Sequence, residues 1–293
     1  MRPTALPFGA ALSWVLVAGL SSQGVGVLAS AFATAGHATD APATIVPALV
    51  GSAATLLLVV CLAPVLAGVP ARQALGLRRA SPRVFLAAAL GTIMLGPTGD
   101  ALMGLAATLF PTFTPGTVTT LNEAAAAVPL AVAWTTFALL PGVSEELLFR
   151  GLLQHAAPRG ARAIAISGAL FALFHLDPHH IVGVLPLGLF LAWVGERAGV
   201  WVTVGAHVAN NSVAVLAAHS GVLDVGYGTG HELPWTWLAT SLLVFAATAR
   251  YLARTTAPAA TEAPAVQRAP PAPPTPQANP SQQVPPAARA DEA

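Results

Sequence analysis

The chain has 293 residues, of which 55% are hydrophobic and only 9% are charged, and its formal net charge at pH 7 is +1. Soluble domains carry about a quarter charged residues, so this composition excludes an ordinary soluble domain and indicates a multispanning membrane protein. The near-neutral charge argues neither for nor against nucleic acid, and no nucleic-acid partner is expected. The single cysteine, Cys61, excludes an intrachain disulfide and a cysteine-based zinc site.

Eight apolar segments approach or exceed the length that crosses a bilayer, since a spanning helix needs about 20 apolar residues. The fourth is overlong and the fifth and sixth are short. We expect Pro97 and Pro141 to kink the third and fourth segments, because a proline inside a helix removes a backbone hydrogen bond. The composition and the segments together predict an all-α, polytopic membrane protein with about eight transmembrane helices. The segments lie near residues 9–34, 44–69, 83–110, 124–157, 162–176, 181–196, 200–218 and 235–253.

The distribution of arginine predicts how these segments are oriented. Arginine precedes the first segment, follows the eighth and occurs in every second connection between them. The positive-inside rule then places both termini in the cytoplasm, and we expect a multi-pass protein of the inner (plasma) membrane. The first segment could also be a cleaved signal peptide, given Arg2 and the small residues at 29–31. Its apolar stretch is longer than the about 7–15 residues of a signal core, which favours an anchor. The connections that lack arginine are 35–43, 111–123, 177–180 and 219–234.

Three short polar motifs interrupt the apolar segments: Glu145 to Arg150, Phe171 to His175, and His207 to Asn211. A charged side chain at the centre of a membrane helix costs about 2.5–3.5 kcal/mol on insertion scales, so such residues usually face an internal cavity. A lone intramembrane histidine or asparagine is most often a hydrogen-bonding contact between helices. Three motifs in order, on separate segments, instead predict one intramembrane polar cavity and a hydrolase site.

Counting residues from the turn at Gly160 predicts which side chains meet. Glu145 lies 15 residues before Gly160 and His175 lies 15 residues after it. At about 1.5 Å per helical residue, both would lie ~22 Å from the turn, facing each other across one helical hairpin. His207 follows the next cytoplasmic turn, near Arg197, by about 10 residues of helix, which places it inside the membrane but shallower.

The two carboxylates of the first motif cannot do the same work, because adjacent helical residues point about 100° apart. Glu146 and Arg150 are four residues apart in the order that favours an ion pair. We assign them mainly to structure and to partial charge neutralisation. Glu145 then points elsewhere and could act as a general base on water.

The second and third motifs supply the groups that would act with this base. His175, on the same helical face as Phe171, could orient water with Glu145 or ligate a metal. His207 with Asn211 could stabilise the oxyanion that forms when water attacks a carbonyl. Asn210 is expected to point away from His207 and Asn211.

Three further polar residues are expected to have no catalytic part. His179 and His180 are expected at a solvated interface in an outer connection. Asp100 is expected to make a helix-packing or water contact.

These motifs resemble those of the CAAX-protease and bacteriocin-processing (CPBP or ABI) family of intramembrane proteases, which includes the type II CAAX prenyl endopeptidases. The family pattern is Glu-Glu-x-x-x-Arg, then Phe-x-x-x-His, then His-x-x-x-Asn, and this chain has all three in order within roughly residues 120–220. The resemblance implies a helical membrane fold and peptide hydrolysis. By it, Glu145 and His175 would prepare the water, and His207 and Asn211 would complete the site or hold the oxyanion.

The resemblance leaves the use of a metal open. Members are commonly called metalloproteases, and Zn²⁺ could be held by Glu145, His175 and His207 with water in an open position. The chain lacks His-Glu-x-x-His, the usual helical zinc signature. Activation of water by glutamate and histidine alone fits the same residues.

The family also sets the expected domains and the alternative functions. We expect N-terminal transmembrane helices at 1–119, a CAAX-protease-like catalytic core at 120–254 and a tail at 255–293. The tail has 10 prolines and few large apolar residues, so it should be a disordered cytoplasmic segment. The expected partners are the lipid bilayer and a membrane protein or peptide substrate.

Two other functions remain open at the level of sequence. One is a non-catalytic immunity or scaffold protein of the same family. The other is a small-solute or proton transporter, which inverted repeats would support; the sequence shows none.

Overall fold

The computed structural model describes residues 6–36, 41–111, 117–220 and 234–256, and all regular secondary structure within these ranges is helical. The expectation of an all-α, polytopic membrane protein is confirmed. Two of the helices have π rather than α hydrogen bonding and are named π1 and π2. In chain order the helices are α1 (Phe8–Ala35), α2 (Ala41–Leu66), α3 (Ala71–Ala74), α4 (Pro82–Leu109), α5 (Thr117–Ala126), α6 (Leu130–Ala133), π1 (Trp134–Leu139), α7 (Leu140–Glu146), π2 (Leu147–Leu153), α8 (Gln154–Ala156), α9 (Ala161–Leu173), α10 (Pro178–Ala198), α11 (Val200–Ser220) and α12 (Trp235–Thr255).

Six helices of the described chain are long and apolar enough to cross a membrane: α1, α2, α4, α10, α11 and α12. They correspond to the first, second, third, sixth, seventh and eighth predicted segments. Helix α9, the fifth predicted segment, is apolar but has only 13 residues. The count of eight membrane spans is therefore not confirmed.

The fourth predicted segment, 124–157, is not one helix. Helix α5 ends at Ala126, the chain turns, and a new helical run begins at Leu130, directly after Pro129. Proline disfavours helical geometry in the residue before it, so Val128 cannot carry the first helix into the second. The new run continues to residue 156 as α6, π1, α7, π2 and α8, and we call 130–156 the motif helix.

Prolines within the helices have different surroundings. Pro141 lies in the first turn of α7, where π1 gives way to α-helical geometry. A π segment has i→i+5 hydrogen bonds and is often found at functional sites. Pro97 lies inside α4, which continues on both sides of it.

Three groups of buried apolar side chains hold the described helices together, and the smallest of them joins α5, α6, π1 and α11. The first joins α1 and α2 to the motif helix and α9, through residues such as Val15, Leu56 and Phe149. The second joins α4, α10, α11 and α12. Large apolar side chains such as Leu243 point outward and are exposed, as a lipid-facing surface requires.

A close approach between α7 and α11 brings the first and third motifs together. A Cβ on Gly142 would lie 2.6 Å from Cγ2 of Val208, so only glycine permits this helix separation. Glu146 lies one turn beyond Gly142, and His207 directly precedes Val208. The small residue thus lets the carboxylate reach the imidazole.

Parts of several predictions lie outside the described residues. These are residues 1–5 with Arg2, the connections at 37–40, 112–116 and 221–233, and nearly all of the predicted tail, from residue 257 onward.

Candidate functional site

A cavity of about 320 Å³ lies among α4, α5, the motif helix, α10 and α11. Glu145 enters it from α7, His207 from α11, and His175 from the turn after α9. Phe171 and Asn211 also line it. Five of the seven side chains selected from the sequence therefore meet in one cavity. The polar residues in its wall are Asp100, Asn122, Glu145, His175, His180, His207, Asn210 and Asn211.

Glu146 and Arg150 do not line this cavity but are buried behind it. Nη1 of Arg150 donates to Oε1 of Glu146 at 2.8 Å, and both side chains are fully buried. The ion pair expected from the four-residue spacing is therefore present. The same Glu146 oxygen accepts a hydrogen bond from Nδ1 of His207 at 2.9 Å. Glu146 is thus more than a neutralising partner, because it also orients one of the imidazoles in the cavity.

Arg150 is fixed by two further contacts. Its Nη2 donates to the carbonyl oxygen of Gly188 on α10 at 2.8 Å. Its guanidinium lies over the Phe171 ring, with 4.3 Å from Cζ to the ring centroid. A buried cation over an aromatic face is stabilised by the negative potential of the ring. The arginine therefore connects α7, α9 and α10 behind the cavity.

The ring of Phe171 contacts both imidazoles, those of His175 and His207. Its ring is 1% exposed and meets the ring of His175 at 5.2 Å and that of His207 at 5.6 Å between centroids, both edge-on. Edge-to-face contacts at such distances fix the ring planes. Phe171 therefore sets the orientation of both imidazoles without taking part in proton transfer.

His175 lies just beyond the C-terminus of α9, not within a helix as the hairpin count assumes. Its Nδ1 is 3.0 Å from the carbonyl oxygen of Phe171. A carbonyl can only accept, so Nδ1 carries the proton and a neutral His175 has its lone pair on Nε2. His207 donates through Nδ1 to Glu146, so its Nε2 is likewise left for the cavity. A neutral His207 would therefore have the same tautomer as His175.

Glu145 makes no hydrogen bond with any other residue of the described chain, although it is partly buried in the cavity wall. Its neighbour Glu146 takes the contacts with Arg150 and His207. This difference agrees with the separation of roles expected from helical geometry. The Glu145 oxygens are left to accept hydrogen bonds from water or substrate.

Asn211 and Asn210 both line the cavity, so the expectation that Asn210 points away is wrong. Nδ2 of Asn210 donates to Oδ1 of Asn211 at 3.3 Å, and Nδ2 of Asn211 donates to the carbonyl oxygen of Phe137 at 3.4 Å. The pair brings two amide groups to the same wall as His207.

His180 is a cavity residue that sequence reasoning missed. Its ring meets that of His175 at 4.4 Å between centroids, at an angle of 70°. Asp177 caps α10 by accepting from the backbone N–H groups of His179 and His180, and Leu176 before it has a φ of 58°. This tight turn folds His180 against His175. Asp177-Pro178 is a typical helix start and could have predicted this cap.

Of the other two residues set aside from catalysis, His179 lies elsewhere than expected. His179 is buried, with Nε2 3.2 Å from the carbonyl oxygen of Phe110, so it is not at a solvated interface. Asp100 lines the cavity wall from α4.

The resemblance implies a zinc ion, and two features of the described side chains bear on it. The Nδ1 hydrogen bonds of His175 and His207 are the kind that orient metal-ligating imidazoles. However, no group of three His, Cys, Asp or Glu side chains within residues 6–36, 41–111, 117–220 and 234–256 is arranged to hold a metal ion. The expected ligation of zinc by Glu145, His175 and His207 therefore stays a prediction.

Apolar helices that enclose carboxylate, imidazole and amide groups define a helical membrane protein with a buried polar site. Residues 127–213 match a family model described as type II CAAX prenyl endopeptidase Rce1-like. This segment carries all three motifs, so the match confirms their resemblance to the CAAX-protease family over these residues. No curated protein and no solved structure matches the chain.

Proposed function

We propose that this protein is an intramembrane endopeptidase that hydrolyses a peptide bond in a membrane-associated protein or peptide. The observation that carries the proposal is that Glu145, His175 and His207 share one cavity while Glu146 and Arg150 support them from behind. The family match supports peptide hydrolysis as the reaction class. The protein would lie in the plasma membrane with both termini in the cytoplasm, as the arginine distribution predicts.

In the proposed reaction, Glu145 and Nε2 of His175 hold a water molecule. Glu145 accepts a proton from the water molecule. At the same time the oxygen of the water attacks the carbonyl carbon of the scissile bond. The C–O bond forms, the carbonyl π bond opens, and the oxygen becomes an oxyanion. Glu145 then gives the proton to the amide nitrogen as the C–N bond breaks, which releases an amine and a carboxyl group. A correctly placed general base contributes about 10²–10⁴-fold to such a rate.

The oxyanion needs hydrogen-bond donors on the opposite side of the water. His207 can donate from Nε2 only when it is protonated, because its Nδ1–H is already given to Glu146. Two glutamates and one arginine leave one uncompensated negative charge, which an imidazolium at His207 would balance. We therefore assign His207 as the charged donor and Asn211, with Asn210 beside it, as the amide donor.

His180 is assigned as a positioning residue for His175. The two rings are in edge-on contact, and the capped turn at Asp177 fixes His180 independently of the motif helix. The contact would keep Nε2 of His175 directed at the water. No step assigns a proton to His180.

The substrate is proposed only by class. Apolar side chains such as Leu95, Phe137 and Val184 line the cavity together with the polar groups. A cavity of this kind suits a peptide with apolar side chains next to the cleaved bond. The proposed substrate is a small peptide or a membrane regulator that is processed in the membrane.

The test begins by finding a substrate. Membrane proteomes of wild-type cells and cells with Glu145→Ala are compared for a protein that accumulates uncleaved. The purified full chain is then placed in proteoliposomes with that substrate. Glu145→Gln should lower the cleavage rate by about 10²-fold or more, because it removes the base and keeps the shape.

The matched control is Glu123→Gln, which changes an exposed carboxylate of α5 outside the cavity and should cleave like the wild type. Wild-type cleavage by Glu145→Gln would remove Glu145 as the base. A cellular phenotype that survives Glu145→Ala but not deletion of the gene would favour a non-catalytic protein. Solute flux into vesicles without any cleavage would favour a transporter.

A further inference from the structure

A proline interrupts the hydrogen bonding of the motif helix one turn before Glu145. In π1 the backbone N–H of Leu140 donates to the carbonyl oxygen of Thr135, five residues back. Pro141 follows at the start of α7, and proline has no N–H. In α-helical geometry the N–H of residue 141 would bond to the carbonyl oxygen of Phe137, four residues back. This carbonyl oxygen therefore lacks the donor that an uninterrupted α-helix would give it.

A side chain of α11 takes the place of the missing donor. Nδ2 of Asn211 donates to the carbonyl oxygen of Phe137 at 3.4 Å, and Oδ1 of Asn211 accepts from Nδ2 of Asn210 at 3.3 Å. The two contacts require the same orientation of the Asn211 amide, because a backbone carbonyl can only accept. An amide nitrogen has two N–H groups, so one is left for the cavity that Asn211 lines.

Contacts on both sides of Phe137 hold the motif helix against α11. Nε1 of Trp134, the first residue of π1, donates to Oγ of Ser212 at 2.8 Å. On the other side, a Cβ on Gly142 would lie 2.6 Å from Cγ2 of Val208. The two helices therefore run antiparallel in close contact along this stretch. The carbonyl oxygen of Phe137 thus has a fixed position beside the Asn211 amide.

The orientation of this amide decides what it offers to a substrate. If the Asn211 amide were turned by 180°, its oxygen would face the carbonyl oxygen of Phe137, and two acceptors would meet. The carbonyl oxygen therefore excludes the turned orientation. An oxyanion is stabilised by hydrogen-bond donors that are already in place when its charge develops.

We propose that Pro141 is a positioning residue for Asn211. Because Pro141 has no N–H, the carbonyl oxygen of Phe137 stays available to Asn211 and directs the second N–H of its amide toward the oxyanion. The inference rests on the proposed function, since Asn211 is an oxyanion donor only if the protein hydrolyses a peptide bond. Pro141 takes no part in the bond changes.

The kinetic test restores the missing N–H with Pro141→Ala. Alanine favours a helix, so the variant should fold, and its N–H can bond to the carbonyl oxygen of Phe137 in place of Asn211. On the substrate that accumulates in Glu145→Ala cells, kcat should fall by about tenfold while KM stays within about twofold of the wild type. In an Asn211→Ala background the same change should lower kcat by less than about twofold, because the amide on which it acts is absent.

Pro47→Ala is the matched control. Pro47 also lies inside a helix, α2, but it is exposed and does not line the cavity. Its kcat should stay within about twofold of the wild type, since restoring a helical N–H there reaches no catalytic group. A purely structural effect of Pro141→Ala would instead lower kcat equally with and without Asn211.

Thermal unfolding in dodecyl maltoside, followed by circular dichroism, tests the same contact without any substrate. Asn211→Ala removes a donor to the carbonyl oxygen of Phe137, and only alanine at position 141 can supply another. Asn211→Ala should therefore lower the unfolding temperature by about 2–4 °C when residue 141 is proline, the cost of about one hydrogen bond. In the Pro141→Ala background the decrease should be less than about half as large.

The outcomes separate this inference from the proposed function. If the wild type cleaves and Glu145→Gln does not, an unchanged kcat in Pro141→Ala, or an equal fall in both backgrounds, would overturn the inference alone. If the wild type cleaves no substrate, the unfolding temperatures decide whether Pro141 positions Asn211. Equal decreases for Asn211→Ala in the two backgrounds would overturn that role, and a smaller decrease with alanine at position 141 would support it.

Discussion

Replacing Glu146 with glutamine removes the negative charge from the buried Glu146–Arg150–His207 network while keeping a side chain of nearly the same size. One Glu146 oxygen accepts from both Arg150 and His207, and neither Glu146 nor Arg150 has an exposed side-chain surface. Glutamine is nearly the same size and can still accept from His207. What it removes is the negative charge that compensates the buried guanidinium.

The magnitude follows from this burial. Removing one partner of a buried ion pair costs about 3–5 kcal/mol, because the other charge is left uncompensated. We therefore expect Glu146→Gln to destabilise the protein by at least about 3 kcal/mol, and Arg150→Met to cost a similar amount. The double variant leaves no buried charge at these positions and keeps a hydrogen-bond acceptor for His207. Its cost should be about 1–2 kcal/mol, from the lost contacts of Arg150 with Gly188 and Phe171.

The assay is equilibrium unfolding in mixed micelles, in which dodecyl maltoside is replaced stepwise by dodecyl sulfate and helix content is followed by far-ultraviolet circular dichroism. Glu123→Gln serves as the control for the loss of an exposed carboxylate. The expected result is a double variant more stable than either single variant. A cost below about 1 kcal/mol for Glu146→Gln, or additive costs in the double variant, would refute the uncompensated-charge argument.

Three further predictions concern catalysis, and each is checked by initial rates on the substrate that accumulates in Glu145→Ala cells. His175→Gln should lower kcat by about 10²-fold or more, whereas His219→Gln, outside the cavity, should not; equal rates in the two would remove His175 from the reaction. His180→Phe keeps a ring against His175 and should lower kcat by about tenfold with KM unchanged; a change in KM alone would indicate a substrate contact. Treatment with a chelator should leave the rate unchanged, because the proposed steps use only protein groups, and a loss restored by zinc would assign water activation to a metal.

Helical periodicity was sufficient to predict the first motif's local arrangement. Residues four apart on a helix share a face, so the Glu146–Arg150 pair and the separate direction of Glu145 follow from numbering alone. The shared cavity of Glu145 and His175 agrees with the equal counts on either side of Gly160, although His175 lies just beyond the end of α9. These features depend on distances along one helix or one hairpin, which the sequence states directly.

Contacts between distant helices were beyond the same reasoning. The hydrogen bond from His207 to Glu146 joins residues 61 apart and depends on the close approach of α7 and α11 at Gly142. The sequence shows that Gly142 lies in an apolar segment, but it does not show which helix packs against this glycine. Sequence reasoning therefore underestimated Glu146, whose partner on α11 could not be seen.

The boundaries of the short helices were also beyond a hydropathy count. Apart from its polar motif, the segment 124–157 reads as one long apolar helix, yet Pro129 divides it and the motif helix contains two π segments. A π segment has no apolar pattern that distinguishes it from an α-helix, so the sequence does not predict it. His180 was expected to have no catalytic part because residues 177–180 read as an outer connection. In the structure Asp177 caps α10, and His180 lies in the first turn of that helix.

The central claim is that Glu145, His175 and His207 face a water-filled cavity within the membrane, and thiol reactivity measures this directly. Cysteine is placed at each position in turn in a Cys61→Ser background, with Leu243→Cys on the exposed apolar face of α12 as the lipid-facing control. Reconstituted protein is treated with a small, charged thiosulfonate reagent, which reacts only with a hydrated thiolate. All three site cysteines should react much faster than Leu243→Cys. Reaction of all three as slowly as Leu243→Cys would contradict the account.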